Sequence, residues 1–574
     1  MISIEHTLSL RKKKKIIINH KMKRRNVIKG LALLPFAGTV LRNQSAQANT
    51  QIAGSNAIIE TLPSGSVASA FMAETNIFRS IGVEPVINCM GTFTIIGGSL
   101  ERPAVRAAME AASHNFVQYD ELADGIGQRL ADLTGAEWGM VSAGCAAGLK
   151  HITAACVTGG NPEKLIRIPD LTGFDKNEVI IPDFSRNAYD HAIRNIGVKI
   201  VSVKTPDELR KAINPRTAMI YIRSTDTDTF TGQPLSLEVI SQIAKPHHVP
   251  VLVDAAAENL TLPPVHLKRG ATIVAYSGGK AICGPQCAGL MLGDKSILMS
   301  AWQASSPHHG PGRDNKVGRE EMIGMMAAVE DWVKRDHDAD WKKWLGWLDT
   351  ISKRLTPIAG LKLEVIERTL LDNKTPVLKV SWDPQKLHIS GFELAEELGR
   401  NKPRIAVWAE DDSSGESFFN ITTGQMQAGE EKIVAERVFA IFSKKRNPKP
   451  ESMMAPLANL SGRWDLSIQF FSSVSQHSLN IVQDGSWLSG THQTDFQSGS
   501  MSGTIEGNRV MMQSAMRIVG DDLSYQFSGI VNGDTMSGDI HLGEYRTAKF
   551  TAKRNVQKAP RRKVNIPAGP PLAT

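Results

Sequence analysis

The chain reads as an α/β protein with a mostly parallel sheet, a small α+β domain and a C-terminal all-β barrel-like domain. Three observations predict this. From Glu84 to about Leu292, short β-branched runs recur at intervals of 20 or so residues with helical patterns between them, the signature of βα units around a parallel sheet. Residues 336–445 then alternate amphipathic helices with a strand, and from Leu460 short strands follow one another between Gly, Asp and Asn turns.

In the first region the predicted strands are Val179-Ile180-Ile181, Lys199 to Val203, Ala218 to Ile222, Pro250 to Asp254 and Thr272 to Tyr276. Functional groups are expected at their carboxyl ends. Arg319 to Arg335 reads as the helix that leaves this domain, which is assigned to residues 76–335. The small domain, 336–445, is built from a helix carrying Trp341, Trp344, Leu345, Trp347, Leu348, Ile351 and Leu355, a strand at Val377 to Trp382, and helices at Gly391 to Leu398 and Glu430 to Phe442. A Lys- and Pro-rich linker, 446–458, precedes the β domain at 459–555, in which Gly499 to Gly507 approximately repeats as Gly533 to His541. Such a meander closes into a barrel, either filled by its own side chains or shaped as a ligand cup. Residues 556–574 read as a disordered tail.

At 574 residues several domains are required. The net charge of +8 would suggest a nucleic-acid or membrane partner, but residues 1–48 hold eleven Lys/Arg and one acid. That segment supplies +10, and the remainder is −2. Nucleic acid is therefore not an expected partner. Residues 1–48 instead read as an export signal: Lys23-Arg24-Arg25, an apolar run from Gly30 to Leu41, and Ala46-Gln47-Ala48, with Met22 as an alternative start. The run is too short to span a bilayer. The paired arginines resemble the twin-arginine type, which predicts the twin-arginine export machinery as a partner, a periplasmic or otherwise exported protein, and a linker over 49–75. Cys89, Cys145, Cys156, Cys283 and Cys287 do not form a disulfide framework, and no metal site is expected.

The chemistry centres on Lys280, in Ser277-Gly278-Gly279-Lys280, after a predicted strand. An amine on a tight glycine turn suits a Schiff base to pyridoxal 5'-phosphate (PLP). A solvated loop lysine is the alternative. Asp254 ends the preceding strand, 26 residues upstream, and is followed by three alanines that would let a flat ring approach. Its carboxylate suits a pyridinium nitrogen, whereas a lone Asp there would cap the next helix. Ser142 to Gly148 offers small residues at a helix start, where backbone N–H groups and the helix dipole suit a phosphate, with Ser277 as an added hydroxyl. Gly125-x-Gly127-x-x-Leu130 lacks the strand and third glycine of a dinucleotide loop.

These residues resemble the fold type I PLP-dependent enzymes, with the aspartate aminotransferase-like fold, and within them the selenocysteine synthase (seryl-tRNA selenium transferase) and D-glucosaminate-6-phosphate ammonia-lyase group. The resemblance covers about residues 76–445. It rests on Val86 to Gly91, Gly97-Gly98-Ser99, Leu133 to Glu137, Arg186 to Ala192, Asp254 to Glu258, Ser277 to Lys280, Gly284-Pro285-Gln286 and Lys316 to Glu321. It implies Lys280 as the Schiff-base lysine, Asp254 as the pyridinium partner, and Gly144, Cys145 and Ala146 as phosphate-loop residues. Arg186 is the first choice for a ring-stacking or substrate contact, with Tyr189 and His191 on the same segment. Arg313, Lys316 and Arg404 are weaker candidates for an anionic substrate group, surface ion pairs being the alternative. Cys283 stands where a glycine is usual.

The activity implied is that of a PLP lyase or transferase at Cα–Cβ of an amino acid or amino sugar acid, ammonia-lyase-like elimination being preferred, in a homodimer or higher oligomer. Selenium transfer on seryl-tRNA is an alternative of the same fold. A third is an exported binding protein that kept the PLP fold.

Overall fold

The computed structural model describes residues 76–224, 234–448, 452–518, 520–556, 563 and 569. The expected signal segment and the 49–75 linker lie outside the described residues, as do most of the expected tail and part of the 446–458 linker.

Seven strands form the large sheet, in the spatial order Trp138–Ser142, Gly289–Gly293, Ile273–Ser277, Val251–Asp254, Thr217–Arg223, Glu178–Pro182, Lys199–Val203. The last five run parallel, and Gly289–Gly293 is antiparallel to both of its neighbours. Four of the seven are buried along their whole length and two more at all but the last residue, which is why they read as continuous apolar runs. The helix Cys145–Thr158 follows the first strand and packs between the sheet and the helix Lys295–Ala304, so nearly every residue in it is buried. Gly125 and Gly127 fall inside the helix Tyr119–Thr134, and form no loop.

A second core surrounds the antiparallel sheet Trp408–Asp411, Ser417–Thr422, Pro376–Trp382, Leu361–Glu367. The helices His337–Leu355, Gly391–Arg400 and Glu430–Ser443 pack on it around the buried Trp382 and Phe419. Strand Val86–Asn88 pairs in parallel with Arg404–Ala406, and Ile87 and Cys89 sit in this core. This strand, within the 76–335 region, thus packs in the second core, because its register partners lie 318 residues on in the sequence.

Gly462 to Arg554 forms a closed barrel of eight antiparallel strands, each hydrogen-bonded to the next and the last to the first. Alternate residues point inward, as in Arg509–Ile518. The interior is packed with Trp464, Ile468, Phe527, Ile540 and Phe550 among others, a filled core. Trp464 also donates through Nε1 to the Leu460 carbonyl at 2.8 Å, which ties the chain's entry to the barrel wall.

Candidate functional site

Strand Val251–Asp254 ends at the carboxyl edge of the sheet and delivers Asp254 into a buried position. Its Oδ2 accepts from the Tyr221 hydroxyl at 2.9 Å, and its Oδ1 accepts from the Ala256 N–H at 3.1 Å and lies 3.8 Å from Cys145 Sγ. Burial pushes the carboxyl above its ordinary range, while the Tyr221 and Ala256 bonds and the charges of Lys280 and Arg223 pull it back. The same burial raises the Cys145 thiol, and the neighbouring Asp254 raises it further. The site thus holds a carboxylate whose charge lacks full compensation, suited to a cationic ligand group.

Lys280 sits in the turn directly after Ile273–Ser277, half-buried. That turn is held from two sides: the Gly278 N–H donates to the Ala288 carbonyl, and the Gly279 carbonyl accepts from the Ser99 N–H at 3.0 Å. A side chain at Gly98 would overlap the Gly279 carbonyl and the Gln286 side chain, so a glycine is needed there for close approach. Among the described residues the Lys280 ammonium makes no hydrogen bond. Ser277 Oγ makes none either. Cys283 has φ +57°. A position in this left-handed region favours glycine, which accounts for the glycine usual there.

Helix Cys145–Thr158 begins at Gly144, whose φ of +86° suits glycine, and no side chain caps it. The first-turn N–H groups of Cys145 to Ala147 are therefore open to an anion. Ala146 is exposed there, and Cys145 is buried against Asp254.

The structure thus gathers Lys280, Asp254, Ser277 and the Gly144 to Ala146 turn on one edge of the sheet. The other candidates have partners or exposure of their own. Arg186 is taken by the buried Asp190 at 2.6 Å, and its other nitrogen reaches Ser202. Its neighbour Asn187 is the one that joins the Asp254 network, through a bond from its Nδ2 to the Tyr221 oxygen at 3.1 Å. Tyr189 and His191 are exposed beside it. Arg313 donates to Ser306 and Lys316 is exposed. Arg404 donates to the Gly399 carbonyl from the edge of the small domain.

Three residues were not singled out by sequence reasoning. Tyr221 was legible only as a polar tip inside an apolar strand, a group that must find a partner when buried. Asn187 and Glu258 lay within the quoted motifs without a role. Glu258, buried, accepts from the Ser224 hydroxyl and faces His266 Nε2 at 2.6 Å.

A cleft of about 1300 Å³ opens beside the lysine turn, lined by Ala281 and Cys283 on one side and by Trp341, Trp408 and Arg368 on the other. Neither Lys280 nor Asp254 lines it, whereas Ala281, the next residue after the lysine, does.

The residues present fit PLP: an amine without a hydrogen-bond partner, a buried acid short of positive charge, and an uncapped helix start meet at one sheet edge. The comparisons agree. The family described as Aminotransferase class-V matches residues 186–313. D-glucosaminate-6-phosphate ammonia lyase from Salmonella typhimurium is 28% identical over 373 residues, which is 63% of this chain and 97% of the relative. A 5'-C-glycyluridine monooxygenase-decarboxylase from a Streptomyces species is 28% identical over 344 residues, 57% of this chain and 83% of that protein. A solved structure of D-glucosaminate-6-phosphate ammonia-lyase superposes with a TM-score of 0.57 and 27% identity, covering 64% of this chain and 98% of the other. More than a third of the chain has no counterpart in that lyase. The class-V match contains both Asp254 and Lys280, and the lyase is matched nearly end to end. The chain is accordingly a PLP-dependent enzyme of fold type I, a lyase or transferase.

Proposed function

We propose that the protein is an exported ammonia-lyase-like enzyme that eliminates a Cβ substituent from a small amino acid or amino sugar acid. The observation that carries this reading is the near end-to-end likeness to D-glucosaminate-6-phosphate ammonia lyase. PLP, when bound, supplies an electron sink for the charge that develops at the substrate Cα.

In this reading the chain's own residues divide the remaining work. Asp254, held by Tyr221 and Ala256, pairs with the ring nitrogen and keeps it protonated. The open N–H groups of Cys145 to Ala147 and the Ser277 hydroxyl hold the phosphate. Lys280 Nζ would hold the cofactor's aldehyde group and is the base placed to take the proton from substrate Cα. The Cβ substituent then leaves with its bonding pair, and hydrolysis of the product yields a 2-oxo acid and ammonia. The aromatic and basic cleft beside the lysine is the route by which substrate reaches Nζ.

The proposal includes a homodimer or higher oligomer and export directed by residues 1–48, whose Lys23-Arg24-Arg25, apolar run and Ala46-Gln47-Ala48 support it. One experiment tests the chemistry. Purified protein with PLP is screened against amino acids and amino sugar acids for changes in the visible absorption of the bound cofactor, with ammonia and 2-oxo acid measured in parallel. Both products from one substrate class are expected. A coloured protein that forms a product without ammonia release would replace elimination by transfer. Fractionation of cells and light scattering test the location and the oligomer.

A further inference from the structure

We propose that the C-terminal barrel is coupled to the cofactor site, and that Gly520 is the positioning residue through which it acts. Gly520 lies in the hairpin between the fifth and sixth barrel strands, Arg509–Ile518 and Asp521–Asn532, with φ +90°. A Cβ there would come within 2.7 Å of the Asn187 carbonyl oxygen, 3.0 Å of its carbonyl carbon and 3.1 Å of its amide nitrogen. Backbone meets backbone, and no side chain other than a hydrogen fits between them.

Asn187 is buried and fully engaged on its other side. Its Nδ2 donates to the Ser185 carbonyl at 2.7 Å and to the Tyr221 oxygen at 3.1 Å, and its Oδ1 accepts from the Tyr189 N–H at 2.8 Å. Tyr221 in turn donates to Asp254 Oδ2 at 2.9 Å. Three contacts thus run from the barrel hairpin to the carboxylate that faces the pyridinium nitrogen in the proposed function, on which the inference rests. A shift of the Asn187 backbone moves the partner of Tyr221 and so changes how firmly that hydroxyl supports the Asp254 charge. The barrel meets the large domain by a distinctive end. Loops at that end carry the exposed Phe471, Phe496, Ile518 and Tyr545, whereas those at the opposite end are the polar turns at Gly485-Ser486, Gly507-Asn508 and Gly533-Asp534.

The test compares Gly520→Ala with Gly533→Ala in the full chain. Gly533 also has a left-handed φ, +58°, but nothing lies within 4 Å of a Cβ built on it. Both variants therefore carry backbone strain in the barrel, and only the first intrudes on Asn187. In PLP-free protein, amide hydrogen exchange of residues 185–194 should quicken about fivefold or more in Gly520→Ala and stay at the wild-type rate in Gly533→Ala. With PLP added, Gly520→Ala should bind it roughly tenfold more weakly and shift the pH midpoint of the visible band, with Gly533→Ala matching wild type. Should Gly520→Ala not fold, the reciprocal measurement on wild type decides: bound PLP must slow exchange in the hairpin around Gly520. Equal exchange at 185–194 in the two variants, or a hairpin indifferent to bound PLP, overturns the coupling. A protein that stays colourless with PLP overturns the proposed function instead, and exchange in the PLP-free variants still decides the contact.

Discussion

The carboxyl edge of the large sheet and the upper half of the barrel both bury polar side chains, yet they do so to opposite effect. In the barrel, His477 Nδ1 and His492 Nε2 lie 3.0 Å apart, and His492 Nδ1 lies 2.7 Å from Ser514 Oγ. Tyr525 packs edge-on against both rings, and Asp495 stands 3.5 Å from His477 Nε2. Two hydrogen bonds join these groups inside the barrel, and His477 Nε2 has the Asp495 charge beside it without a hydrogen bond. At the sheet edge, the Lys280 amine, the Ser277 hydroxyl and the first-turn amides of Cys145–Thr158 keep free capacity, and Asp254 keeps a charge that its neighbours do not fully balance. A closed polar set stabilises or specifies a fold, whereas an unfinished one is a site.

The largest effect that could break this contrast is loss of the amine. Lys280→Ala should remove the visible band of protein-bound PLP and lower turnover by about a thousandfold or more, since both covalent binding and the proton transfer at Cα depend on Nζ. A variant that retained the band would make Lys280 an ordinary loop lysine. Next comes Asp254→Asn. Because burial raises the Asp254 pKa, its ionisation opposes folding as pH rises, so PLP-free protein should melt no lower than wild type at neutral pH. The same variant should bind PLP roughly a hundredfold more weakly. A fall in the melting temperature of the PLP-free variant would mean that Asp254 belongs to the fold rather than to the site.

The barrel should respond to pH with the opposite sign to Asp254, losing stability as pH falls. Burial, with His477 adding to it, pushes the His492 pKa down to about 4, and burial lowers His477 also. Neutral imidazoles are favoured in the folded state, so their stabilisation is full above pH 6.5 and is lost as pH falls from there through about 4. For His492 the loss should approach about 3 kcal/mol, at about 1.4 kcal/mol per pKa unit. Tyrosine and tryptophan fluorescence of barrel unfolding, followed from pH 7 to 4, reads this directly, and His492→Gln should flatten the profile. The smallest expected effect is at Cys283. Cys283→Gly removes a left-handed side chain and should raise stability by about 1 kcal/mol in thermal unfolding, with the PLP band unchanged. A loss of stability there would show that the thiol's packing outweighs the backbone strain.

Much of the site was legible because its members sit at strand ends. A β-branched run that stops at Asp254, and another that stops before Ser277-Gly278-Gly279-Lys280, announce themselves locally. So does Gly144 before a run of small residues. Tyr221 and Asn187 were not legible in the same way, since their roles depend on which strands lie side by side. Arg186 shows the converse limit: its charge and place suggest a contact to the ring, and only the structure shows that the buried Asp190 four residues on pairs with it. The barrel strands were plain from alternation, yet nothing local tells that one hairpin reaches Asn187.

By itself, then, the amino-acid sequence determined the layered architecture and the residue types that carry the chemistry, because both are written in short-range periodicity and in single side chains at element ends. The tertiary structure alone decided which polar groups complete one another and which stay open. It also decided that strand Val86–Asn88 joins the small domain, and that the barrel hairpin touches the Asp254 network. Those outcomes depend on strand order and on contacts between residues hundreds of positions apart, and no local pattern encodes them.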